Sequence, residues 1–251
     1  MATDVRQPRE TDVSASSSHP SLDYYLMLAQ RHHETVAAEP VGILVEEFTL
    51  ASDHTALALG SARWTPPDGW VGAAPLSQRV RTDAVLRGRT VTADRDEVAQ
   101  VYRRLGGGDL PDEPTLRSHF GAAVSLATAP PLRLGSGEVA EGFHDTRFYR
   151  ILFASDLSED GLARLRAGWR MRVPAEADEP RARVFGTAQL RVADDLFVWD
   201  LRRIGPGVAW CLDLTANFGD GRTDRIEPVL RGLMAVMRQQ GLIPVTIERF
   251  S

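Results

Sequence analysis

Arg225-Ile226-Glu227-Pro228-Val229-Leu230-Arg231-Gly232-Leu233-Met234-Ala235-Val236-Met237-Arg238-Gln239-Gln240-Gly241 is the stretch on which the fold turns. Ile226, Val229, Leu230, Leu233, Met234 and Met237 recur at helical spacing, so one face of a helix is apolar. Pro228 falls in the first turn, where its missing donor is not needed. Gly241 closes the helix, and Leu242 to Phe250 alternates as a final strand. Working back, Val208 to Thr215 reads as a strand after the turn Gly205-Pro206-Gly207. Leu196 to Arg203 and Arg183 to Val192 read as a hairpin across Ala193-Asp194-Asp195. Ser158 caps a helix that runs to about Met171, with Glu159 and Asp160 favourably placed against its dipole. Phe148 to Ala154 is a further strand. The order β-α-β-β-β-α-β approximates a ferredoxin-like plan with one strand added. It predicts an α+β protein of antiparallel sheets with helices on one face.

The N-terminal half carries similar signals more faintly. Leu22 to about Val36 reads as a helix with Tyr25, Leu26 and Ala29 on one face. Val41 to Leu50 and Thr55 to Trp64 flank a turn at Ala51-Ser52-Asp53-His54. Trp64 to Pro75, rich in Pro and Gly, reads as a loop. Residues 84–92 read as a strand and Arg95 to Leu105 as a helix, opened by an Asp94/Glu97 capping box. Residues 115–128 are ambiguous. The expected organisation is a disordered tail over 1–20, an α+β half over 21–128, a connector over 129–146 and the ferredoxin-like half over 147–251. The two halves could equally form one continuous domain.

The 251-residue chain has 29 basic residues, all arginine. A lysine Schiff base and a P-loop or kinase lysine are thereby excluded. The formal charge of −5 gives no global field to attract nucleic acid or acidic lipid. Cys211 is the single cysteine, which excludes an intrachain disulfide and a cysteine-rich zinc site. Its apolar surroundings predict an inert thiol. The first 20 residues are polar, with Ser14, Ser16, Ser17 and Ser18, and lack a signal-peptide core. With no long apolar run, the expected setting is a soluble, cytoplasmic one.

Few residue constellations carry chemistry. His32-His33-Glu34 with His54 does not suit one metal ion, because adjacent helical positions diverge by about 100°. No metal or cofactor is expected. His144, beside Asp145 in a loop, and His54 are the candidate catalytic residues, each as a general acid/base. Gly106-Gly107-Gly108 follows a helix, so it reads as a C-cap and not a phosphate loop.

Arginine clustering is the stronger hint. Seven arginines between Arg79 and Arg104 leave that stretch at +3, and seven between Arg164 and Arg191 leave theirs at +4. Arg181, Arg183 and Arg191 share strand parity, and with Arg202 they form a candidate anion- or partner-binding face. Phe185 has the same parity, so a bulge near Gly186 or a mixed face is expected. Trp64 and Trp70 are further candidates for a binding surface.

These features favour an accessory protein that recognises an acidic protein partner or anionic ligand through an arginine-rich face. The alternative is an enzyme acting on an anionic small molecule, with a histidine general acid/base. RNA binding by the C-terminal sheet is a third reading, disfavoured by overall acidity and the missing RNP-type motif. Homodimerisation is the ordinary expectation for such a fold.

Overall fold

A strand buried on both faces shows no clean alternation, and Asp23–Leu28 is such a strand. Tyr24 turns to one side of its sheet and Tyr25 to the other, and both are buried. The helix read over Leu22 to Val36 is therefore corrected over 22–28: burial on both faces erased the period that separates strand from helix. The computed structural model describes residues 22–30, 38–126, 139–175, 177, 182–204 and 209–250. The serine-rich tail, His32-His33-Glu34, Gly205-Pro206-Gly207, residues 129–138 of the connector and Arg181 lie outside the described residues.

In chain order the first sheet and its helices comprise β1 (Asp23–Leu28), β2 (Pro40–Leu50), β3 (Ala56–Thr65), β4 (Gly69–Gly72), α1 (Ala74–Thr82), α2 (Ala84–Arg87), β5 (Thr90–Ala93), α3 (Arg95–Arg104), α4 (Glu113–Ser118) and β6 (Val124–Ser125). The strands lie in the order β4-β3-β2-β1-β5, with β6 also on β3, and all neighbours are antiparallel. The β2–β3 hairpin forms where the sequence places it. The Pro66-Pro67-Asp68-Gly69 stretch proves to be a second hairpin turn, with Gly69 at φ 66° and Trp64 directly opposite Trp70. Residues 84–87 are helical and not strand, because Asp83 caps them by accepting from the Val85 and Leu86 amides. The Asp94/Glu97 capping box opens α3 as read.

The second group comprises β7 (Asp145–Ala154), α5 (Glu159–Gly168), β8 (Val184–Val192), β9 (Asp195–Ile204), β10 (Ala209–Phe218), α6 (Ile226–Gln239) and β11 (Ile243–Arg249). Ser158 caps α5 through the Gly161 amide. The element order matches the sequence reading throughout. The strands lie in the order β11-β7-β10-β9-β8, antiparallel at every step. The expected irregularity near Gly186 is present as a register shift between Val184 and Gly186. Among the described residues, mixed α/β structure with two antiparallel sheets and six helices is the observed class.

The helices are distributed differently in the two groups. One face of the second sheet presents Ile151, Phe197, Leu201 and Leu214 to Leu165 of α5 and Leu230, Leu233 and Met237 of α6. Fully burying one such side chain stabilises by about 1.5–3 kcal/mol. The first sheet has helices on both faces: Val98, Tyr102 and Leu116 meet Tyr24 and Ile43, whereas Val80 meets Tyr25 and Leu44. That corrects the expectation of helices on one face for this sheet. Its central strands are apolar on both sides, so both sides need cover.

The two sheets share buried surface. Phe48, Ala56 and Leu59 of the first sheet join the cluster around α6, and Ile243 of β11 packs on Tyr25 and Leu44. No helix among the described residues is long and apolar enough to cross a membrane.

Candidate functional site

Charge inside the interface between the sheets is the first arrangement the sequence did not reveal. Glu46 on β2, 1% exposed, receives two hydrogen bonds from Arg81 on α1, at 3.0 and 2.8 Å. Arg81 also donates to the Ser77 and Pro244 carbonyls, reaching β11. Arg238 on α6 donates to Asp23 Oδ1 at 2.5 Å, to the Tyr24 carbonyl and to the Tyr25 hydroxyl. Burial pushes the Asp23 carboxyl above the ordinary aspartate range, against the pull of Arg238. Burial likewise raises the Tyr25 phenol. Each guanidinium is committed to several of this chain's own oxygens, so the cluster is a clamp between elements distant in sequence. Glu46 and Arg238 occupy ordinary strand and helix positions, and no local motif marks them.

The candidate residues read from the sequence are dispersed. His144 is exposed, and its backbone N–H donates to the Phe218 carbonyl. His54 sits at φ 68° in the β2–β3 turn, half-buried. Burial pushes its pKa down and Arg147 adds to that, while Glu227 and Asp53 oppose. No hydrogen bond or ion pair among the described residues joins the two histidines. Trp64 is 5% exposed and meets Tyr102 edge-on, with ring centroids 4.6 Å apart. Trp70 donates from Nε1 to the Tyr102 hydroxyl at 3.3 Å and stacks near His119. Both tryptophans thus belong to the packing of the first sheet.

Arg202 is likewise committed. It donates to Asp213 Oδ2 at 2.8 Å, and Arg150 grips the same carboxylate at 2.6 and 2.8 Å. Burial alone would raise the Asp213 pKa, but the two guanidinium groups together hold it below the usual range. Cys211 lies beside this trio with no exposed surface, and burial pushes its thiol up to about 12. It is the inert thiol expected of its surroundings.

Arg183 and Arg191 remain exposed, at the two ends of β8. This strand is an edge of the second sheet. Backbone parity decides what that edge offers. Thr187 exchanges both backbone hydrogen bonds with Arg172, at 2.8 and 2.9 Å, so its polar groups point away from β9. Gln189 and Arg191 share its parity along β8, and their N–H and C=O groups therefore also point outward. Beyond Thr187 no backbone partner among the described residues closes them. Leu190 between them is 44% exposed.

Four exposed arginines are spaced along this edge: Arg183 just before β8, Arg170 and Arg172 on the segment that bridges Thr187, and Arg191 near the strand's end. None makes a side-chain hydrogen bond or ion pair among the described residues, in contrast to Arg202, Arg203 and Arg225 nearby. On the helix side of the edge a groove of about 590 Å³ is lined by Trp169, Leu190, Trp199, Val229, Gly232 and Val236. Trp169 and Trp199 meet edge-to-face, 5.7 Å apart at 81°. A Cβ added at Gly168 or Gly232 would meet nothing within 4 Å, so both glycines leave the groove wide. Trp199 Nε1 is buried without an acceptor among the described residues. Arg225, at the groove's end, is neutralised by Asp195 and Asp220, at 2.8 and 3.2 Å.

The outward carbonyls and amides of Gln189 and Arg191 and the apolar groove thus lie at one end of the β8 edge, and arginines with no ion-pair partner among the described residues are spaced along it. The sequence pointed to Arg183 and Arg191 through strand parity. Arg170 and Arg172 it counted in the arginine cluster between Arg164 and Arg191 without placing them at this strand, and the groove it did not reveal, because these features come from the α5–β8 connection and from α6. No protein-family model matches the chain, and no curated protein or solved structure shows significant similarity to it.

Proposed function

We propose that this protein is an accessory, binding protein that recognises an acidic protein partner at the β8 edge. The carrying observation is the set of four exposed arginines along that edge that have no ion-pair partner among the described residues. Guanidinium groups not already committed to internal carboxylates are the ones able to take an external carboxylate. Arg202, Trp64 and Trp70, held internally, fall outside the proposed surface, and Arg183 and Arg191 stay within it. The reading treats the C-terminal group as a ferredoxin-like plan extended by one strand, in a cytoplasmic protein. An anionic small molecule would meet the same arginines and is the lesser form of this reading.

Poly-L-glutamate tests it. Binding should be salt-dependent, and Arg183→Gln with Arg191→Gln should weaken it by about tenfold or more. Binding that ignores both salt and these substitutions would overturn the assignment. The enzyme alternative rests on His54, whose left-handed backbone and burial-lowered pKa mark it among the described histidines. It requires that His54→Ala and His144→Ala change turnover of an anionic substrate while folding is preserved.

A further inference from the structure

We infer that the partner is bound as an added β-strand: an extended segment that pairs antiparallel with Gln189–Val192 and alternates acidic with large apolar side chains. The inference rests on the β8 edge being the partner site, and it specifies how that site reads its partner.

Three observations carry it. Gln189 and Arg191 turn N–H and C=O groups outward, in line with the antiparallel bridge by which Arg172 already extends the sheet at Thr187. An unpaired edge of this kind is a template for another strand. Side chains of an added strand follow the parity of the residues they face. Leu190 and Val192 lie on the face that carries Trp199, so a residue opposite Leu190 points toward the groove of about 590 Å³. A residue opposite Arg191 points to the other face, beside that guanidinium, and carboxylate is the matching group. The result is an acid–apolar–acid pattern: one acid faces Arg191, the other faces Gln189 on the face that Arg172 shares through its bridge to Thr187, and the apolar side chain enters the groove between Trp169 and Val229. RNA would satisfy the arginines, but it has no alternating peptide N–H and C=O groups at strand spacing to pair with the edge.

The groove also explains Gly232. Glycine inside a helix is unfavourable, and no neighbour within 4 Å forbids a Cβ there. Its absence keeps the groove open for the anchoring side chain.

The test is fluorescence anisotropy with a labelled peptide that alternates Glu with Phe and Val, titrated with the full chain. The same peptide N-methylated at its glutamates keeps charge and composition but loses the backbone donors that would face Gln189 and Arg191. It should bind about tenfold more weakly. Gln189→Pro removes one outward N–H that no intrasheet bond uses, so the strand persists. It should weaken the alternating peptide similarly and leave poly-L-glutamate unaffected. Gly232→Leu should weaken the Phe-containing peptide but not an analogue with Ala at those positions.

Equal binding of the methylated and unmethylated peptides would overturn strand addition while leaving acidic recognition standing. Failure of both the peptide and poly-L-glutamate to bind in an Arg183- and Arg191-dependent manner would overturn the proposed function itself. Tighter binding of poly-uridylate than of any peptide would overturn both in favour of nucleic acid.

Discussion

Ala193 occupies the left-handed region at φ 51°, in the two-residue turn between β8 and β9. An L-residue there carries about 1–2 kcal/mol of strain, partly offset by the greater chain entropy glycine would lose on folding. Ala193→Gly should therefore stabilise the protein by up to about 1 kcal/mol, read as a higher urea midpoint at unchanged slope. Asp213 makes a second prediction at this scale. Its pKa is lowered by Arg150 and Arg202, so its stabilising contribution is present above the unfolded aspartate pKa. It is lost as pH falls through the lower folded value. Asp213→Asn should cost about 2 kcal/mol near pH 7, and the gap to the parent should begin to narrow at about pH 4 and close as pH falls through the lower folded value. Urea unfolding at a series of pH values measures this. A gap constant down to pH 2 would show that the carboxylate charge contributes nothing.

Elements expose a conflict between helix stability and groove width. In α6, Gly232 sits between the buried Arg238 side of the helix and the Trp169–Trp199 groove. Replacing it with alanine adds helix propensity of about 0.8–1 kcal/mol and creates no contact within 4 Å. Gly232→Ala should raise the thermal midpoint by several degrees, of order 2–4 °C for a chain of this size. A lowered midpoint would mean that the glycine serves packing. The edge strand illustrates the same tension. Leu190 exposed between two outward-facing backbone units would ordinarily invite edge-to-edge pairing, and charge such as that of Arg191 on an edge strand opposes it.

Across the whole molecule, the Glu46–Arg81 pair is the feature most sensitive to removal of one member. Both side chains are at most 5% exposed, and Arg81 ties α1 to β2 and to β11. Arg81→Met leaves a buried carboxylate without its partner and should destabilise by about 3–5 kcal/mol. Replacing Glu46 by leucine in that background should recover much of the loss, because removing both charges ends the desolvation penalty. Unfolding of the two variants beside the parent decides it. Recovery that fails would assign the arginine's value to its carbonyl contacts at Ser77 and Pro244.

How much of this was legible from residues alone follows from the range of the forces involved. The α6 stripe, the Ser158 cap, the Asp94/Glu97 box and the two β hairpins rest on contacts a few residues apart, and their sequence reads directly into structure. β1 was illegible because its tyrosines are buried on both faces, which removes the alternation a strand ordinarily displays. The sequence by itself determined the order of elements in the second group, the absence of lysine chemistry and the inert single thiol. Which arginines have an internal carboxylate partner among the described residues emerged only from the packed strands. Arg202 and Arg183 look alike in sequence, yet Asp213, two strands away from β8, neutralises one and leaves the other exposed. Pairing of charge depends on distance in space, which the chain fixes only when its strands are laid side by side.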